Sequence, residues 1–306
     1  MGIVFFGTPA FAVPSLETLL KAGEDVKLVV TQADKPKGRG HILSPPPVKE
    51  SALRHGLRVV QPAKLKDPGF LGELNSLRPE FLVVVAYGRL LPPEVLRAPS
   101  SAPVNLHASL LPKYRGAAPI PWAIIKGEKE TGVTTMLMTE GLDEGDILLE
   151  ERVAITDEDT AGSLSERLSQ PGAGLLVKTL KGLREGSIEP RPQAGEPTYA
   201  PPLKKEDGKV DWAKGAVELF NFVRGMHPWP GAYCVLAGET VTLLKVRPVS
   251  GKGAPACIHA VQKDSIQIGT GNGLLLIDLL KPAGKKAMPA GAFLRGRKLK
   301  EGDMAG

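Results

Sequence analysis

Two short stretches carry the side chains best suited to chemistry. The first reads Asn105-Leu106-His107-Ala108-Ser109-Leu110-Leu111-Pro112-Lys113-Tyr114-Arg115-Gly116, and the second Gly141-Leu142-Asp143-Glu144-Gly145-Asp146. Along an extended strand, residues two apart share a face, so Asn105 and His107 project to one side. A neutral carboxamide donor and an imidazole then converge on one reacting carbonyl. A carboxylate at Asp143, on a loop flanked by glycines, can hold the imidazole charged or set its tautomer. Neither stretch couples a serine or cysteine to a base, so the residues do not require a covalent acyl-enzyme. They suit direct acyl transfer to an amine, in which a base takes a proton from the attacking ammonium and fixed donors hold the tetrahedral oxyanion. A histidine at a strand end equally serves as a structural hydrogen-bonding residue, and the Asn-x-His pair by itself leaves both roles open.

The elements around these stretches are those of an α/β sheet. Gly2-Ile-Val-Phe-Phe-Gly-Thr-Pro is an apolar run ending in Gly and Pro, the pattern of a buried parallel strand entering a turn. A helix over about Phe11 to Ala22 and a strand over Asp25 to Thr31 complete a strand-helix-strand unit. Similar units follow: a helix near Pro47 to His55, a short strand at Arg58-Val-Val, a core strand from Phe81 to Ala86, a strand ending at His107, and β-branched alternation from Gly132 to Met138. The expected architecture is an open, Rossmann-like, mostly parallel sheet with helices on both faces, its ligand outside the carboxyl ends of the strands. The first turn, Gly7-Thr8-Pro9, lacks the glycine pattern of dinucleotide binding, and no P-loop motif occurs.

Asp34 to Pro47 is basic and dense in Gly and Pro, the mark of an exposed, functional loop. Gln170-Pro171-Gly172 interrupts a helical pattern and should start or break a helix. Ser187 to Lys205 holds five prolines without helical or alternating pattern and reads as an extended linker. Beyond it come one helix, about Gly215 to Arg224, and short strands near 232–236, 240–246, 258–261, 265–268 and 273–280, as in a small β-barrel or sandwich. The resulting partition is a catalytic domain over 1–188, a linker over 189–207 and a β domain over 208–306.

Composition narrows the function classes. With 306 residues, 42 % hydrophobic and 24 % charged, the chain has the composition of an ordinary globular protein of two domains. Two cysteines, Cys234 and Cys257, make neither a disulfide framework nor a zinc site. The opening segment has no basic residue before Lys21 and is broken by Pro9 and Pro14, unlike a signal peptide; no apolar run approaches a membrane span. The net charge of +6 is unevenly placed: residues 1–203 sum to −1 and residues 204–306 to +7. A basic module behind a neutral one suggests a polyanion partner or a lysine-rich solvated surface.

The chain resembles the folate-dependent formyltransferases. Asn-x-His-x-Ser-Leu-Leu-Pro-x-x-x-Gly with a downstream Gly-Leu-Asp-x-Gly-Asp carries the likeness. It extends through Phe6-Gly7-Thr8-Pro9-x-Phe11-Ala12, Gly38-Arg39-Gly40, Ala86-Tyr87-Gly88, Glu130-Thr131-Gly132-Val133-Thr134, Trp229-Pro230-Gly231 and Phe293-Leu294-Arg295-Gly296-Arg297. The resemblance implies a Rossmann-type catalytic domain joined to an OB-like barrel. It also implies formyl transfer from 10-formyltetrahydrofolate, without a metal, to the amino group of an initiator methionyl-tRNA, by a cytoplasmic monomer. Asn105, His107 and Asp143 match the family's catalytic trio: His107 and Asn105 would stabilise the oxyanion, and Asp143 would keep His107 charged. Ser109, Leu110, Leu111 and Pro112 match the folate-contacting loop, with Tyr87 and Gly88 beside the pteridine. Arg39, with Lys37, matches the basic loop that enters the tRNA acceptor stem. Among Lys281, Lys285, Lys286, Arg295, Arg297 and Lys298, the pair Arg297 and Lys298 is the first choice for contacts to the tRNA backbone.

Two alternatives are the same chemistry on a small amine and an RNA-binding protein that has lost activity. The intact trio speaks against the second. The basic loop, the linker and the basic C-terminal module speak against the first, since a small substrate needs none of them.

Overall fold

The apolar runs Ile3-Val-Phe-Phe-Gly and Phe81-Leu-Val-Val-Val have no polar face to offer water, and every residue of both strands is buried. Such strands need cover on both sides, which fixes a parallel layered sheet. The computed structural model describes residues 2–37, 42–295 and 297–306. It divides into two compact units, one of Met1–Pro119, Glu130–Ala154 and Ser165–Ala200, the other of Ile120–Lys129, Ile155–Leu164 and Pro201–Gly306.

In the first unit the strands are β1 (Ile3–Gly7), β2 (Val26–Val30), β3 (Lys35–Lys37), β4 (Ile42–Ser44), β5 (Val59–Val60), β6 (Phe81–Val85), β7 (Ala102–His107), β8 (Arg115–Gly116), β9 (Glu130–Leu137), β10 (Ile147–Ala154) and β11 (Tyr199–Ala200). Seven of them form the main sheet in the order β10-β9-β7-β6-β1-β2-β5. The pairs from β5 to β7 are parallel, and β9 and β10 close the other edge antiparallel. Helices α1 (Val13–Lys21), α2 (Pro47–Arg54), α3 (Pro68–Leu77) and α4 (Pro93–Leu96) follow the parallel strands. Val4 and Phe6 of β1 face a buried cluster with Phe70 and Leu74 of α3 and Val95 and Leu96 of α4. Alternation turns Ile3 and Phe5 to the opposite face. Each side chain so buried contributes about 1.5–3 kcal/mol. Asp67 caps α3 by accepting from the Phe70 N–H at 3.0 Å.

Three local expectations change. The basic segment after Asp34 is partly a hairpin, Lys35–Lys37 pairing with Ile42–Ser44. At its base Lys49 Nζ donates to both Asp34 oxygens at 2.9 and 2.8 Å and to Gln61 Oε1 at 2.8 Å. Second, Pro171 does not break its helix, which runs unbroken as α6 (Ala161–Glu185). A mid-helix proline costs about 3 kcal/mol, but α6 buries Leu168, Leu175, Leu176 and Leu180, and that burial outweighs the lost hydrogen bond. Third, the proline-rich segment after Ser187 is fastened back onto its own unit. Arg191 and Ile147 exchange backbone hydrogen bonds at 2.7 and 2.9 Å, and β11 lies parallel to β8, Tyr199 opposite Arg115 and Ala200 opposite Gly116.

The second unit contains α5 (Pro119–Ile125, from Ile120 onward), α7 (Ala216–Gly225) and α8 (Ala290–Leu294). Its strands are β12 (Tyr233–Leu236), β13 (Glu239–Val249), β14 (Ile258–Val261), β15 (Ile266–Gly269), β16 (Leu274–Pro282) and β17 (Met288–Pro289). They form an antiparallel half-barrel in the order β12-β13-β16-β15-β14, with β17 beside β16. The two-residue turn Ala237-Gly238, with φ of 48° and 76°, joins β12 to β13 in the positive-φ geometry of tight hairpins. Bulges in β13 bend the sheet. Gly225 permits α7 to approach α5, because a Cβ there would lie 2.9 Å from the Pro121 carbonyl. The fold class expected from the sequence is the one observed.

Candidate active site

β7 ends on His107, and alternation puts Asn105 on the same face. Both are nearly enclosed, at 8 % exposure for Asn105 and 5 % for His107. His107 is gripped from two sides: Nε2 is 2.9 Å from the Tyr114 carbonyl and Nδ1 is 3.6 Å from Asp143 Oδ2. A carbonyl only accepts, so Nε2 carries a proton. Nδ1 faces the carboxylate. The Nε2 proton is directed at backbone, and the Asn105 carboxamide lies on the same face of β7. Among the described residues that carboxamide has no side-chain hydrogen bond.

Asp143 sits in the left-handed region at φ 50°, a conformation that Asp tolerates but that context must impose. Its Oδ2 accepts from the Gly116 N–H at 2.8 Å. Gly116 has φ 119°, and a Cβ would lie 2.8 Å from the Ala200 carbonyl, so only glycine delivers that N–H. The Asp143 and Gly145 carbonyls accept from Gln193 Nε2 at 2.8 and 2.9 Å. Arg115 donates to Gln193 Oε1 through Nη2 at 2.7 Å and Nε at 3.1 Å. Thr198 Oγ1 accepts from the Tyr114 N–H at 2.9 Å, behind the carbonyl that holds His107. Arg115 and Gly116 appear in the sequence reading without a role, and Gln193 and Thr198 escaped it. Proline density marks their segment as extended, and no periodicity signals which extended residues fold back.

The turn after His107 is equally fixed. Thr134 Oγ1 donates to the Ser109 carbonyl at 2.7 Å and accepts from the Leu111 N–H at 3.4 Å. Ser109 Oγ donates to the Lys113 carbonyl at 2.6 Å. Leu111 is buried against Met136 and Ile147, while Leu110 and Pro112 are half-buried. Tyr87, expected with Gly88 beside the pteridine, turns its ring into the core. The ring is 1 % exposed, edge-on to Phe6 at 5.2 Å, and burial raises its hydroxyl pKa. Only its backbone and the exposed Gly88 face outward. The Tyr87 carbonyl is held by Gln32 Nε2 at 2.8 Å and Thr8 Oγ1 at 3.0 Å. Apolar surface is nonetheless presented by loops at this end of the unit: Leu90 is 72 % and Leu142 47 % exposed.

Of the residues expected to meet RNA, Lys37 closes β3 and Arg39 lies outside the described residues. Lys298 is exposed, as are Lys281, Lys285, Lys286 and Arg295. Arg297 differs: it grips Glu239 through Nε and Nη2 at 2.8 to 3.1 Å and the Phe293 carbonyl through Nη1 at 2.7 Å, stacked 4.0 Å from the Phe293 ring. Four of its five N–H donors are used within the unit. Burial pushes the Cys234 thiol up to about 12, which leaves it inert at neutral pH. No helix among the described residues is long and apolar enough to cross a membrane.

The parallel sheet of the first unit and the half-barrel of the second both fall within known families. Residues 1–180 match the formyl transferase model and residues 202–298 the formyl transferase C-terminal domain. The chain belongs to the formyl transferase family. Relatives of near-equal length are methionyl-tRNA formyltransferases. That of Thermodesulfovibrio yellowstonii is 55 % identical, covering 98 % of this chain and 97 % of the relative. That of Pelotomaculum thermopropionicum is 49 % identical, covering 100 % and 99 %. Two solved structures share the fold at lower identity. The Helicobacter canadensis N-formyltransferase, in complex with folinic acid and dTDP-3-aminofucose, has TM-score 0.69 at 19 % identity, over 90 % of this chain and 98 % of that one. HypX from Aquifex aeolicus, in complex with tetrahydrofolic acid, has TM-score 0.66 at 20 % identity, over 100 % of this chain and 50 % of that one.

Proposed function

We propose that this enzyme transfers the formyl group of 10-formyltetrahydrofolate to the amino group of methionyl initiator tRNA. The amine attacks directly and passes through a tetrahedral intermediate. The carrying observation is the arrangement of His107, its Nε2 proton fixed on Tyr114 and its Nδ1 turned to Asp143. In this reading the methionyl amine, its ammonium proton released to solvent, attacks as the neutral amine; Nδ1 accepts the second proton that the nitrogen then sheds, and Asp143 Oδ2 pairs with the imidazolium so formed. Asn105 donates to the oxygen of the formyl carbon as it becomes an oxyanion, a contribution that typically lowers the barrier by about 3–4 kcal/mol. When the intermediate collapses, the carbon–nitrogen bond to the folate breaks and the proton returns to the departing nitrogen.

The co-substrate fits the residues available. Apolar Leu90 and Leu142 offer flat surface to a pteridine and its benzoyl group, and the Ser109–Pro112 turn is rigid enough to border it. The amine side is supported by the identity of 49–55 % to whole-length relatives bearing that name. It is also supported by the exposed cations of the C-terminal unit, Lys281, Lys285, Lys286, Arg295 and Lys298, and by the hairpin that carries Lys37. On this reading residues 1–188 are the catalytic domain, 189–207 the connection and 208–306 the tRNA-binding domain of a cytoplasmic monomer. The test is to incubate the protein with 10-formyltetrahydrofolate and methionyl-tRNA and assay formyl-methionine, with a sugar amine as the competing acceptor. Formylation of the sugar amine and none of the methionyl-tRNA would overturn the assignment.

A further inference from the structure

We infer that Gln193 is a positioning residue of the reaction, acting through Asp143; the inference rests on the catalytic reading of Asp143 given above. The carboxylate that faces His107 belongs to a residue held at φ 50°, in a loop with no helix or strand of its own between Leu137 and Ile147. Such a conformation is disfavoured for a residue with a Cβ and persists only where neighbours impose it. The neighbour is a single carboxamide. Gln193 has two N–H donors and two carbonyl lone pairs, and all four are used. Nε2 spans the carbonyls of Asp143 and Gly145 at 2.8 and 2.9 Å, which clamps both ends of the Asp143-Glu144-Gly145 turn. Oε1 receives both arms of the Arg115 fork.

The direction of the amide is forced: backbone carbonyls accept only, and a guanidinium donates only. The clamp also closes on itself. Arg115, which orients Gln193, directly precedes Gly116, whose N–H holds the Asp143 carboxylate, and directly follows Tyr114, whose carbonyl holds His107. Thr198 and β11, in the same segment as Gln193, fasten Tyr114 and Arg115 from behind. Gln193, Thr198, Tyr199 and Ala200 of one extended segment therefore fix the backbone of Asp143 and that of Tyr114, whose carbonyl holds His107.

Gln193→Glu tests this sharply. The shape is kept and the Arg115 contact is strengthened, yet both donors vanish and a carboxylate oxygen faces two carbonyls. A displacement of about 1 Å in a reacting group can cost on the order of 100-fold. The expected result with 10-formyltetrahydrofolate and methionyl-tRNA is a kcat lower by about 10- to 100-fold, with the KM for either substrate nearly unchanged. In an Asp143→Asn background the same substitution should cost almost nothing more, since the group it positions is already disabled. Glu196→Ala, on the same exposed segment, should behave as the parent enzyme. Wild-type kcat in Gln193→Glu, or an equal loss in both backgrounds, overturns the inference. Wild-type kcat in Asp143→Asn overturns the catalytic reading instead, so the two failures are distinguishable. Should Gln193→Glu fail to fold, Gln193→Met, which removes the hydrogen bonds without adding charge, is judged by the same criteria.

Discussion

The two units handle their charged and polar groups in opposite ways. In the first, the groups that brace His107 are each anchored by a second group and often a third. Asp143 is held by Gly116 and Gln193, Gln193 by Arg115, and Tyr114 by Thr198. In the second, Lys281, Lys285, Lys286, Arg295 and Lys298 stand in solvent. Acyl transfer rewards placement to a fraction of an ångström, because the donor must meet charge that appears only in the transition state. Neutralising a polyanion rewards charge and reach, because released counterions supply the free energy and phosphates are closely spaced. The difference separates residues whose substitution should change a rate from residues whose substitution should change an affinity.

The largest effect should fall on the anchored side. His107→Ala is expected to lower kcat by about 100- to 1000-fold while methionyl-tRNA binding, measured by filter retention, is preserved. Loss of binding in step with rate would erase the distinction between the units. Next, replacing Lys298 together with Lys281 by alanine should weaken tRNA binding at constant kcat. It should also reduce the slope of log affinity against log salt by about one for each phosphate that the protein no longer neutralises. An unchanged slope would mean that the cations are merely solvated. These point substitutions are cleaner than deleting 204–306, which would strip the cover from residues 120–129 and 155–164 of the same unit.

The smallest effect sharpens the exception, Arg297. The hydrogen-bonded Arg297 guanidinium, with Lys285 further off, holds the Glu239 carboxyl below its usual range. A carboxyl depressed in the folded state contributes stability above its unfolded pKa, and loses that contribution as pH falls through the folded value. Glu239→Gln should therefore lower the melting temperature slightly at neutral pH and make little difference in acid. Arg297→Met should do the same while leaving the salt slope of tRNA binding intact. A flattened slope in Arg297→Met would return that residue to the RNA surface.

Much of this architecture is legible in the residues themselves. Fully apolar runs such as Ile3–Gly7 can only be buried strands, and the Asn105/His107 spacing fixes a shared face. Asp143 stands out because glycines flank it. What stays hidden depends on tertiary pairing. Pro171 reads as a helix breaker because local propensity cannot weigh the leucines that bury the rest of α6. That the Tyr87 ring packs edge-on to Phe6 is equally hidden, because a residue at a strand end does not show in sequence which way its side chain turns. Gln193 reads as linker because its partners lie 48 to 78 residues away along the chain.

The return of β11 to β8 sets where the molecule can be cut. A protease nick before Pro190 would detach the strand that closes the Arg115-Gly116 edge and release the Gln193 clamp, leaving His107 and Asp143 present but unbraced. Cleavage after Ala200 leaves every one of those hydrogen bonds within the first unit. The last passage of the chain from the first unit to the second thus falls between Ala200 and Pro201, at the far end of the proline-rich stretch.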